Sequence, residues 1–132
     1  MDVQNRKMTR GDTYAFDHFA KKPDPTTGIL VPVDLTGGRA WFTAKRSITD
    51  VDVNAIVKVS TVADDVFGLG ITVINAAGGQ IRVTIPAAST KVLPFNPVDL
   101  LYDIQVAESG GATTTSQSGV LTVSPDVTLA VP

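Results

Sequence analysis

A few side chains have the types that chemistry requires. His18 is the single histidine and Trp41 the single tryptophan, while Asp50-Val51-Asp52 and Asp64-Asp65 are the close acidic pairs. A Ser-His-Asp hydrolase needs an imidazole beside an activated serine. No serine sits in a Gly-x-Ser-x-Gly elbow, and His18 alternates with Tyr14 and Phe16, as a structural histidine on a strand face would. Two carboxylates facing each other across a cleft can hydrolyse glycosidic bonds. Both acidic pairs instead fall in segments that read as loops, where solvated turn residues explain them. They also lack the Asp-x-Asp-x-Asp-Gly pattern of a calcium loop.

Other motifs are equally bare of chemistry. Gly37-Gly38, Gly78-Gly79 and Gly68-Leu69-Gly70 precede strand-like runs, so no helix N-terminus follows to hold a phosphate. Arg10-Gly11-Asp12 spells an integrin-type tripeptide but reads as a turn before a strand. Trp41 would stack on a sugar if exposed; without a second aromatic platform it reads as core or subunit contact. The absence of cysteine excludes a disulfide scaffold, a Cys-ligated zinc and a thiol nucleophile, and one histidine excludes a multi-histidine centre. No catalytic, cofactor-binding or metal-binding residue is assigned, and no cofactor is expected.

The elements that would carry these residues are strands. Val, Thr and Ile supply 42 of the 132 residues, and Glu occurs once against twelve Asp. That balance favours sheets and turns over helices. Strands are expected over residues 13–19, 39–46, 55–62, 70–75, 80–85, 100–107 and 119–123, with a short apolar piece at 29–33. Residues 21–28, with two prolines flanking Asp24, read as a loop. Asp34-Leu35-Thr36-Gly37 reads as a tight turn with Leu35 plugging the end of the core, and Pro86 opens one helical turn over 86–90. Ala76-Ala77-Gly78-Gly79 reads as a hairpin connection, and the polar run 113–118 as a solvent-facing edge strand. The Tyr102 hydroxyl is expected to tie down a neighbouring loop. One domain suits this length. The expectation is an all-β, antiparallel immunoglobulin-like β-sandwich of about seven to eight strands, with a partly open barrel as the alternative. Residues 1–9 read as an N-terminal arm, 10–128 as the β-sandwich domain and 129–132 as a C-terminal tail.

Charge narrows the partners. A net charge of −2 and a pI near 5.1 give no electrostatic reason for nucleic-acid binding. Residues 1–46 sum to +3 and residues 47–132 to −5, a polarity that suits head-to-tail packing of copies. No apolar run approaches the roughly 20 residues of a membrane span, and residues 1–7 lack the apolar stretch of a signal peptide.

The segments Arg10–Phe16 (Arg10-Gly11-Asp12-Thr13-Tyr14-Ala15-Phe16), Val33–Lys45 (with Asp34-Leu35-Thr36-Gly37-Gly38 and Trp41-Phe42), Gly79–Thr90 (with Gln80-Ile81-Arg82-Val83-Thr84-Ile85-Pro86), Leu101–Val106 (Leu101-Tyr102-Asp103-Ile104-Gln105-Val106) and Ser118–Thr128 (with Gly119-Val120-Leu121-Thr122-Val123) follow one another in a specific order. In that order the chain resembles the small immunoglobulin-like domains of tailed-bacteriophage structural proteins, of the kind found at the N-terminus of baseplate upper proteins. The resemblance implies a virion structural protein of tail, baseplate, neck or capsid surface, made in the host cytoplasm. Its implied partners are other virion proteins and itself in a symmetric oligomer, with no nucleic acid and no membrane. The arm and the apolar tail 127–132 are the expected contact elements, so deleting residues 1–9 should leave a folded domain that attaches weakly. The alternative is a carbohydrate-binding adhesion module for host-surface attachment; a small glycan hydrolase is a third reading.

Overall fold

The computed structural model describes residues 2–126. The described residues form twelve strands: β1 (Asp2–Val3), β2 (Arg6–Thr9), β3 (Tyr14–Phe19), β4 (Lys21–Pro23), β5 (Leu30–Pro32), β6 (Arg39–Lys45), β7 (Val57–Ser60), β8 (Gly68–Leu69), β9 (Ile71–Asn75), β10 (Gln80–Ile85), β11 (Val98–Ala107) and β12 (Thr113–Ser124). One helical turn, α1 (Ala87–Thr90), and a 3-10 turn at Asp52–Asn54 complete the described elements. The chain is all-β, as the β-branched composition requires. No described helix is long and apolar enough to cross a membrane.

Seven strands form one sheet in the order β1-β12-β11-β6-β7-β8, with β2 also on β12; β3-β10-β9 form a second sheet, and β4-β5 a two-stranded ribbon. Alternation explains how the sheets meet. Ala40, Phe42 and Ala44 on β6, Leu100, Tyr102, Ile104 and Val106 on β11, and Ile81, Val83 and Ile85 on β10 all turn into one shared core. Phe42 stacks on Tyr102 at 5.3 Å between centroids and meets Phe16 of the opposite sheet edge-on at 5.8 Å. Leu35 is buried as expected, and Asp34 Oδ1 accepts the Thr36 N–H at 3.0 Å to fix the turn that inserts it. The 76–79 hairpin and the turn after Pro86 also form as read.

Four expectations change, the first being that 113–118 is no solvent-facing edge strand: β12 lies between β1 and β11 and buries Ser116 and Gln117. The large sheet is mixed rather than antiparallel, because β1 and β2 run parallel to β12, and β8 runs parallel to β7. A tight hairpin forces antiparallel pairing, but none joins β1 or β2 to β12, and β2 instead leads into β3 of the other sheet. Residues 2–9 are therefore no arm. They complete the edge of the large sheet, with Met8 buried in the core and Arg10 N–H donating to Ser124 O at 2.8 Å. The 21–28 segment is likewise part of a hairpin, in which Lys21 pairs with Pro32 and Pro23 with Leu30. An isolated two-stranded ribbon tolerates proline because its outer edges need no donor. Its tip is held by Asp24 Oδ1, which accepts the Thr26 and Thr27 N–H groups at 2.8 and 3.1 Å. The tail expected at 127–132 lies outside the described residues.

Candidate functional site

The face of the large sheet that points away from the core carries an ordered set of polar and aromatic side chains. Trp41, Thr43 and Lys45 project there from β6, opposite in phase to the buried Ala40, Phe42 and Ala44. Strand pairing sets them in rows: Trp41 stands beside Gln105, which stands beside Thr115, and Thr43 stands beside Asp103. With Ile48, Asp52, Phe67 and Leu101 these residues line a depression of about 450 Å³.

The second aromatic ring, Phe67, comes from the loop between β7 and β8. Asp64 places it: Oδ1 accepts the N–H groups of Val66 and Phe67 at 2.8 and 2.7 Å, and these bonds hold the carboxyl below the usual range. Arg39 joins the two rings' supports. Its guanidinium lies 5.1 Å from the Trp41 ring centre and donates to Asp64 Oδ2 and to Val62 O, each at 3.3 Å. On the floor, burial raises the pKa of Asp103, against the opposing hydrogen bond from Gln105 Nε2 to Oδ2 at 3.2 Å. Lys45 pairs with Asp52 at 2.8 Å.

A second polar cluster lies between the sheets. Pairing slips between Ile104 and Gln105, so Ser116 of β12 has no partner residue on β11. The extra residue turns both Ser116 and Gln117 inward, as a bulge does. Ser116 Oγ lies 2.7 Å from His18 Nε2. Gln117 Oε1 accepts from Tyr102 Oη at 3.0 Å and from Arg6 at 2.9 Å, while its Nε2 donates to Asp2 at 2.8 Å. The Tyr102 hydroxyl shares its single proton between Gln117 Oε1 and the Gln4 carbonyl, tying the segment between β1 and β2 to the sheet.

This cluster brings a serine to the lone histidine, yet not as a catalytic pair. Burial, with a lesser contribution from Arg6, lowers the His18 pKa to about 4, which makes it a weak base at neutral pH. Among the described residues no carboxylate bonds to His18, so the orienting third group of a triad is missing from the pair. The acidic pairs separate as well. Asp50 accepts the Ser47 N–H at 3.2 Å, Asp52 pairs with Lys45, Asp64 builds its own loop and Asp65 is exposed. Of these four, Asp52 alone lines the groove. Among the described residues no group of three or more His, Cys, Asp or Glu could hold a metal ion.

Arg10 of the Arg10-Gly11-Asp12 turn is likewise occupied. It donates to Leu93 O and Lys91 O at 2.9 and 2.6 Å and pairs with Asp126 at 3.2 Å, with Phe95 under its guanidinium at 4.2 Å. Sequence reasoning missed Phe67, Asp103 and Gln105. The outward alternation of Asp103 and Gln105 was visible in the sequence, but their register against Trp41 was not. No protein-family model matches this chain, and no curated protein matches it.

Proposed function

We propose that this chain is a structural component of a tailed-bacteriophage particle, in its tail, baseplate, neck or capsid surface. It works through contacts with other virion proteins and with copies of itself. The reading makes it a virion protein produced in the host cytoplasm and asks for no catalysis. Its scaffold is read as an immunoglobulin-like sandwich. Two sheets over one core support that assignment, as does a late-strand tyrosine whose hydroxyl pins a neighbouring segment. The parallel strands are this chain's departure from such a sandwich.

One observation carries the assembly reading: three large exposed apolar side chains stand on β3 and the ribbon that follows it. Phe19 is 54% exposed, and Leu30 and Ile29, on the adjoining ribbon, are 62% and 67% exposed. Phe19 and Leu30 rim a depression of about 580 Å³ otherwise lined by polar and charged groups such as Asp2, Arg6 and Lys21. Large apolar side chains left exposed beside polar and charged groups offer a partner protein both surface to bury and groups to bond.

Mass spectrometry of gradient-purified phage particles tests the proposal. The chain is expected at a fixed stoichiometry, and a Phe19→Ser/Leu30→Ser double variant should be largely lost from particles while still folding. A chain present in the lysate but absent from purified particles would overturn it.

A further inference from the structure

We propose that the outer groove over β6, β11 and β12 binds a neutral oligosaccharide. Trp41 and Phe67 form its stacking walls, and Asp103, Gln105 and Thr115 its hydrogen-bonding floor. The proposal goes beyond the assembly reading and does not depend on it, since this groove shares no lining residue with the depression beside Phe19 and Leu30.

The walls supply the first argument. A pyranose ring presents apolar C–H faces that pack on aromatic rings while its hydroxyls point sideways. Trp41 alone is ambiguous, but the fold brings Phe67 to the same depression. Both rings are half-buried, so their bodies are fixed while part of each surface stays open. Arg39 and Asp64 support the two walls together, through one ion pair at 3.3 Å. That is a preorganised site, in which little ordering remains to oppose binding.

The floor supplies the second. Trp41, Gln105 and Thr115 form one row across three strands, and Thr43 and Asp103 begin the next. Neighbouring strands lie about 4.8 Å apart, so polar groups recur across the groove at that interval. A sugar hydroxyl both donates and accepts; the floor offers a carboxylate acceptor, an amide that does both and a threonine hydroxyl that does both. Gln105 bonds Asp103 Oδ2, which leaves Oδ1 for a ligand hydroxyl. This carboxylate is partly withdrawn from water, so a further donor would relieve its desolvation.

Charge and backbone select the ligand class. Lys45 is engaged by Asp52, so Asp103 leaves the groove with an excess negative charge that disfavours sialylated or uronic sugars. A peptide could not add a strand here, because the backbone groups of β6 and β11 are already bonded within the sheet.

The test uses the purified chain on an array of neutral and acidic oligosaccharides, followed by calorimetry with the best neutral tetrasaccharide. Neutral glycans should bind, and acidic ones should not. Trp41→Ala and Phe67→Ala should each weaken binding by roughly tenfold or more, while Trp41→Phe retains most of it. Phe67 sits in a surface loop, so Phe67→Ala should keep the wild-type melting curve. Failure of every neutral glycan to bind, a preference for acidic ones, or binding indifferent to both alanine variants would overturn the proposal. Cross-linking of this face to another particle protein in assembled virions would do the same. A folded chain that binds glycans but is missing from particles would reject only the assembly reading.

Discussion

His18 is 6% exposed and stays neutral because burial, aided by the Arg6 charge, lowers its pKa from 6.5 to about 4. The unfolded chain takes up a proton on this ring near pH 6.5, and the folded chain only near 4. Stability therefore falls as the pH drops through that interval, by about 3 kcal/mol when the loss is complete. Urea midpoints at pH 7 and pH 4.5 should show the decline, and His18→Gln should flatten it. Asp17, Asp34 and Asp64 have lowered pKa values, so their contributions are lost below the usual carboxylate range, whereas Asp103, raised by burial, gains stability as the pH falls and offsets part of the decline. Tyr102→Phe removes the hydroxyl whose one proton Gln4 O and Gln117 Oε1 share, and should cost about 1–2 kcal/mol in urea unfolding. Amide exchange should quicken at residues 2–5 before it does in β11. The inward faces of His18 and Tyr102 were legible, because period-two alternation is a local property. Ser116 and Gln117 were not, since an inserted residue breaks that period and is visible only against its partner strand.

Among the elements, the pair β1–β2 alters expectation most. Its polar sequence reads as an arm because an edge strand may be wet on one side, and its partner β12 lies more than a hundred residues along the chain. Deleting residues 2–9 is therefore expected to destabilise the domain rather than leave it intact. The loss of buried Met8 alone costs about 2–5 kcal/mol, and exposing β12 invites aggregation. Differential scanning calorimetry and light scattering would register both effects. Gly119 gives a finer probe. A Cβ there would run into the Gln4 carbonyl oxygen, so Gly119→Ala must push the first strands away. Its melting temperature should drop, with exchange protection lost first at Asp2 and Val3. The β4–β5 ribbon was hidden for a different reason: proline argues against a central strand, and this ribbon is all edge.

At the scale of the whole molecule, two surfaces with no lining residue in common carry the two proposals. Substitutions should therefore separate cleanly. Trp41→Ala is expected to leave particle incorporation unchanged, and Phe19→Ser/Leu30→Ser to leave glycan affinity within about twofold of wild type, as sites without shared partners allow. Comparing the two variants in one particle preparation and one calorimetric series checks the separation. The all-β class was legible from composition, because β-branched side chains and a near absence of Glu constrain the backbone everywhere at once. The groove was not. It depends on the register among three strands and on a loop ring placed by Asp64, and both arise only once distant segments are paired.

The parallel pairing of β1 and β2 with β12 also imposes a schedule. Arg6 meets Gln117 across 111 residues of chain, and Asp2 meets it across 115. During synthesis at about 5–20 residues per second, residues 2–9 wait on the order of ten seconds before their partner strand has been made. Until then Met8 has no completed core to enter, and the β12 side of the large sheet does not exist. Closure of the domain is thus a late, long-range event, the kind of topology that folds slowly, and crowded nascent copies could meet each other's unpaired edges before their own.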